Sequence, residues 1–174
     1  RATEAKAPAT SWVLRPKLEA KFNDSLQVML VAREAITKVT AEESADQIYS
    51  VAGTLLAQAG RTDEAITLLK DGIAKLPVNN VVWLYPKLGD LLTQAGKTDE
   101  AIALLNDGIA KLPVNSAAGL YPKLGDLLTQ AGKNDEAIAL LKDGIKKLPV
   151  NSAAGLYPKL GDLLAQAGKT DEAI

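Results

Sequence analysis

The sequence predicts an all-α fold, a right-handed α-solenoid of antiparallel helix pairs with an N-terminal capping helix. Three observations carry this expectation. The stretch Leu84 to Gly119 reads LYPKLGDLLTQAGKTDEAIALLNDGIAKLPVNSAAG, and Leu120 to Gly155 repeats it with three changes, Thr98 to Asn134, Asn106 to Lys142 and Ala110 to Lys146. The glycines Gly60, Gly96, Gly132 and Gly168 keep one period, since 96 − 60 = 132 − 96 = 168 − 132 = 36. Within each period the pattern is helix, Gly turn, helix, Pro stop. A fixed period of this size is the mark of a repeat array, in which each unit buries its apolar face only by stacking on its neighbours.

Composition narrows the function classes. The chain has 174 residues, 47% of them apolar, enough for a sizeable core. Its 20 basic and 21 acidic residues leave a net charge of −1, which argues against general nucleic-acid binding. Cys and His are both absent. That removes disulfides, thiolate or imidazole metal sites, and nucleophiles activated by His. No apolar run reaches membrane-spanning length. No metal, cofactor or catalytic residue is expected, and insertion into a membrane is not expected either.

Taken in order, residues 1–15 read as a flexible arm of Ala, Thr and Lys that ends near Trp12 and Pro16. Residues 16–39 read as one amphipathic helix. Leu18, Phe22, Leu26, Met29, Ile36 and Val39 recur at helical steps, and Pro16 sits in the first turn. This helix falls outside the repeat, so a cap over the first repeat is its expected role. Residues 40–174 are expected to form the solenoid, about three and a half repeats. Thr40-Ala-Glu-Glu43 is a capping box for a helix over about 41–59, and Gly60 is its C-cap.

The next helix starts at Thr62-Asp63-Glu64, with Thr62 as the expected N-cap and the carboxylates at the positive end of the dipole. It stops at Pro77. The same start recurs at Thr98, Asn134 and Thr170, and the same stop at Pro113 and Pro149. Acidic pairs repeated at helix starts are capping groups rather than catalytic carboxylates. The last start leaves a helix of barely one turn, so the native chain is expected to extend beyond Ile174.

In the first helix of each repeat, helix A, the residues Tyr121, Leu124, Gly125 and Leu128 share a face. In helix B, Ala137, Leu141, Gly144, Ile145 and Leu148 do. Gly72, Gly108 and Gly144 sit mid-helix, where Gly costs about 1 kcal/mol against Ala. Close backbone approach to Gly53, Gly89, Gly125 and Gly161 is the expected reason. Leu at Gly108 or Gly144 should then be strongly destabilising, and Ala at Gly108 mild.

Leu88-Gly89, Gly96, Asp99-Glu100-Ala101-Ile102, Gly108 and Pro113 resemble the tetratricopeptide repeat, and the resemblance recurs over about 41–174. Two departures stand out. The period exceeds that family's roughly 34 residues, with two extra residues near Ser116-Ala117. Pro86, Pro122 and Pro158 fall in helix A, where only the first turn tolerates Pro. Helices A are therefore expected to begin near Gly119 and its equivalents, after an Asn-Ser-Ala-Ala connection.

The resemblance implies a non-catalytic scaffold that binds a protein or peptide segment in a concave groove lined by helices A. The groove face would carry Lys87, Asp90, Thr93 and Gln94, then Lys123, Asp126, Thr129 and Gln130, then Lys159, Asp162 and Gln166. The other reading of this face is a solvated stripe whose Lys and Asp pair locally at i,i+3. Val81, Val82 and Trp83 are singular, because later copies have Ala117, Ala118 and Gly119 there. They are expected to pack near the cap; exposure to a partner is the alternative. Two further functions stay open. Near-identical repeats suit a structural or self-assembling array within a larger complex. The run Ala-Gly-Lys-x-Asp-Glu-Ala also resembles pentatricopeptide RNA-binding repeats, against which the acidic balance and the shorter distance to the closing Pro both count.

Overall fold

The structure is a computed structural model that describes residues 45–169. The expected arm, the capping helix, the capping box at Thr40 and the final helix start at Thr170 lie outside the described residues. The described elements are all helical: α1 (Ala45–Gln58), α2 (Thr62–Lys75), a 3-10 turn (Val78–Asn80), α3 (Leu84–Gln94), α4 (Thr98–Lys111), α5 (Val114–Ala117), α6 (Leu120–Gln130), α7 (Asn134–Lys147), α8 (Val150–Ala153) and α9 (Leu156–Gln166). Helices α2, α4 and α7 start at positions 62, 98 and 134, so the period read from the glycines is also the period of the helices. Packing divides the chain into two units, one ending at Leu91 and the other beginning at Leu92.

The turns form where the sequence places them, for a stereochemical reason. Gly60, Gly96, Gly132 and Gly168 have φ of 77°, 73°, 74° and 68°, the left-handed region that favours a residue without Cβ. Each closes the preceding helix with two reciprocal bonds. Gly132 N–H donates to Thr129 O at 3.0 Å, and Lys133 N–H donates to Leu128 O at 2.8 Å. This pair of bonds is the Schellman motif, which satisfies carbonyls that a helix end leaves orphaned. The next residue starts the following helix at once. Lys133 O accepts from Ala137 N–H at 3.0 Å, and Arg61 O accepts from Ala65 N–H at 3.1 Å.

That geometry corrects one expectation. The N-cap is Arg61, Lys97 or Lys133, with no side-chain cap bond, and Thr62, Thr98 and Asn134 are the first helical residues. The turn is so short that one residue both ends helix A and begins helix B, which leaves no position for a separate hydroxyl cap. In the first repeat the side chain of that residue is held by a two-pronged ion pair. Arg61 Nε and Nη2 donate to Glu64 Oε1 and Oε2, the second at 2.6 Å.

The Pro-stop end also follows from local chemistry. Leu148 caps α7 in extended backbone, and its N–H donates to Gly144 O. Pro149, at φ −55° and ψ 146°, then redirects the chain. The connection that follows is not open coil. It is one helical turn, α5 or α8, and a 3-10 turn in the first copy. Helices α6 and α9 begin directly after Gly119 and Gly155, as expected. Pro122 and Pro158 then fall in the first turn, where no backbone donor is needed.

In the second unit α7 packs on both α6 and α9, α4 packs on α6, and α6 meets α9. A helix B is thus wedged between its own helix A and the next, which is how stacking buries both faces of the pair. Leu124, Leu128 and Leu141 are buried there, with Tyr121 and Ala137. In the first unit α1 packs on α2, and Ile48, Tyr49, Leu56 and Leu69 are fully buried.

The mid-helix glycines need a different explanation from the one expected. The nearest neighbours of Gly72 and Gly144 are side chains and not glycines. A Cβ on Gly144 would lie 2.6 Å from Tyr121 Cδ1 and 2.8 Å from Leu156 Cδ1. A Cβ on Gly72 would lie 2.8 Å from Tyr49 Cδ1. Gly125 instead faces the side chain of Leu141, and Gly53 that of Leu69. At Gly53, Gly72, Gly125 and Gly144 the missing side chain makes room for a ring or a branched chain from the neighbouring helix, whereas nothing lies within 4 Å of the Cβ position of Gly161.

Candidate functional site

The expected groove residues come from helices A. In α6, the apolar side chains Leu120, Tyr121, Leu124, Leu127 and Leu128 are buried. The intervening positions face outward by helical phase. Asp126 and Gln130 are exposed, and Lys123 and Thr129 are half-buried. In α9, Asp162 and Gln166 are exposed and Lys159 is half-buried. In α3, Asp90 and Gln94 are exposed, while Lys87 and Thr93 are half-buried. Each expected ladder residue is therefore at least partly open to solvent.

The ladder is partly tied to itself. Lys159 Nζ pairs with Asp126 Oδ1, so the ion pair bridges α9 and α6 rather than turning back within one helix. At Lys159 the pairing runs between repeats, not locally at i,i+3 as the solvated-stripe reading has it. Thr129 Oγ1 donates to Gly125 O at 2.8 Å, so this hydroxyl is engaged with its own helix backbone.

A second set of charges bridges repeats at the turn edge and was not legible in advance. Lys133 Nζ lies 3.4 Å from Asp99 Oδ1, and Lys169 Nζ lies 3.0 Å from Asp135 Oδ1. These aspartates stand in the first turn of helices B, where they compensate the helix dipole. They also hold the lysine of the next turn. The signal is a basic residue after each turn Gly, Arg61 in the first copy and Lys in the others, with an Asp two residues further on. Assigning the pair requires knowing which turn lies beside which helix. Both pairs are exposed and contribute about 0–1 kcal/mol each.

A third contact joins helix A to helix B in the first unit. Tyr49 OH donates to Asp71 Oδ2 at 3.3 Å, and Lys75 Nζ lies 2.9 Å from Asp71 Oδ1. Burial first, then the Asp71 charge and hydrogen bond, push the Tyr49 hydroxyl up to about 12. Burial and the Asp143 charge raise Tyr121 in the same direction. The phenols are held neutral, as suits structural pins between helices. Lys147 Nζ lies 2.9 Å from Asp143 Oδ2, as Lys75 does from Asp71.

Val81, Val82 and Trp83 divide. Val81 is buried, Val82 is half-buried, and Trp83 is 73% exposed. The cap on which they are expected to pack lies outside the described residues, and Trp83 is open to solvent. At the turn edge an open cavity of about 580 Å³ is lined by Lys133, Asp135, Glu136 and Lys169 among others, and by no ladder residue. Among the described residues no group of three or more Asp or Glu could hold a metal ion. No helix among them is long and apolar enough to cross a membrane.

Comparison with known proteins places this arrangement. Two family models, each described as tetratricopeptide repeat, match residues 56–124 and 122–174, together more than half of the chain. Comparison with curated protein sequences gives no significant match. Among solved structures, BtubC (BKLC) from P. vanneervenii is similar at a TM-score of 0.66 and 17% identity, over 96% of this chain and 76% of that one. MamA of AMB-1 is similar at a TM-score of 0.59 and 22% identity, over 95% of this chain and 86% of that one. A Podosopora anserina protein described as a kinesin light chain with nearly identical TPR-like repeats reaches 0.62 at 18% identity, over 98% of this chain and 92% of that one. At these identities the likeness is one of fold.

Proposed function

The chain belongs to the tetratricopeptide-repeat family, and on that premise we propose that it is a non-catalytic scaffold that binds a protein or peptide segment along the outward stripe of its helices A. The observation that supports this reading most is the recurrence of one polar stripe on neighbouring helices. Lys123, Asp126 and Gln130 of α6 are followed by Lys159, Asp162 and Gln166 of α9. The two helices are in contact and joined by the Asp126–Lys159 pair. The same residue types stand at Lys87, Asp90 and Gln94 in α3.

A stripe of both signs suits a partner of mixed polar character and disfavours a polyanion. Each contact is weak, because exposed ion pairs and amide hydrogen bonds contribute little singly. Affinity would come from one ligand engaging successive repeats in register.

Photo-cross-linking tests this placement. A photo-reactive residue at Gln130 or Gln166 should cross-link the bound partner, and one at the exposed helix-B position Lys142 should not. Cross-links from Lys142 alone would place the partner on the wrong face and refute the reading.

A second reading is an array of near-identical repeats that stacks on further copies, supported by the identity of Leu84–Gly119 and Leu120–Gly155 at all but three positions. Light scattering over a concentration series separates the two readings, since only stacking raises the mean mass.

A further inference from the structure

We propose that Trp83 is the aromatic anchor of the partner site, and that it receives a peptide carrying an apolar residue with an acidic residue close beside it. The inference rests on the groove reading. Trp83 immediately precedes α3, yet the chain is already turning helically there. Val81 O accepts from Leu84 N–H at 2.9 Å and from Tyr85 N–H at 3.4 Å. Trp83 is therefore in phase with the helix, and Trp83, Lys87 and Asp90 stand at i, i+4 and i+7 on one stripe.

The residues between them take the other side. Leu84, Tyr85, Leu88 and Leu91 are buried, while Trp83 is 73% exposed, Lys87 half-buried and Asp90 exposed. The equivalent positions in later copies are Gly119 and Gly155, so the repeat itself needs no side chain there. A large ring is thus added at one place, on the stripe already read as the binding face, where it serves no buried packing.

The chemistry of the neighbours selects the occupant. A rigid aromatic side chain supplies large contact area at low entropic cost, which is why Trp dominates binding hot spots. The cation of Lys87 stands about 6 Å further along the helix axis, at 1.5 Å rise per residue. An extended peptide covers that distance in about two residues. An apolar residue on Trp83 therefore brings a carboxylate two or three positions away to Lys87.

The probe is a random-peptide library displayed on phage, selected on the intact chain. Selected sequences should share an apolar residue with Asp or Glu two or three positions away. Synthetic copies should shift the tryptophan emission and bind Trp83→Gly at least tenfold more weakly, while Trp83→Phe keeps most of the affinity. Gly already occupies this place in later copies, so circular dichroism and melting of Trp83→Gly should match the parent. Undiminished binding to Trp83→Gly, selected peptides lacking the apolar–acidic pair, or no enrichment at all would each overturn the proposal. If Trp83→Gly binds fully while Lys123→Glu with Lys159→Glu does not, the anchor is wrong and the groove reading stands. If Trp83→Gly loses binding and the double Lys variant does not, the anchor stands and the groove reading falls. A parent dimer that Trp83→Gly makes monomeric would identify the occupant as a second copy and overturn the peptide assignment.

Discussion

Gly144 shows how single positions hold the pairs together. As a helix-interior glycine it costs about 1 kcal/mol relative to Ala. The ring of Tyr121 and the side chain of Leu156 occupy the space a methyl would need. Overpacking of this kind typically costs about 1–3 kcal/mol, which outweighs the propensity gain. Gly144→Ala should therefore lower the melting temperature. Gly155→Ala should not, because nothing lies within 4 Å of its Cβ position and its φ of −71° is ordinary helical backbone. Thermal melts of the two variants check the contrast. Sequence reading found that these glycines mark a close contact, but paired them with other glycines. Periodicity locates a face, and only coordinates say which neighbour fills it. The exposure of Trp83 was not legible for the same reason, since its position near the expected cap suggested packing.

The helical hairpin is the element that the sequence specifies best. Gly at the left-handed turn position, Pro after each helix B and Pro in the first turn of helices A each act through backbone stereochemistry. Their positions could therefore be read to within a residue. Side-chain capping was less legible, because the Thr that looks like a cap is displaced by one residue into the helix. Gly132→Ala tests the turn. Nothing lies within 4 Å of its Cβ position, so the cost is that of φ +74° alone, about 1–2 kcal/mol. The melt should shift down by roughly 2–8 °C for a chain of this size. An unshifted melt would mean that the turn does not need the left-handed conformation.

For the whole molecule, charge balance and the absence of Cys and His narrowed the function before any coordinates, and the family assignment agrees with a scaffold role. The face that binds was less legible. Ladder residues can be picked out by period, but ion pairs between repeats, such as Asp126 with Lys159, depend on how neighbouring units stack. The most direct test of the binding claim is partner capture by the triple variant Lys87→Glu, Lys123→Glu, Lys159→Glu, with Lys142→Glu plus Lys146→Glu on helix B as the control. The Lys159–Asp126 pair that the ladder variant breaks is open to solvent and contributes little, so the melting temperature should stay within a few degrees of the parent. Capture of the partner purified from the native source should fall at least tenfold for the ladder variant and stay at parent level for the control. Full capture by the triple variant, or equal loss in both, would contradict the claim that the helix-A stripe is the binding face.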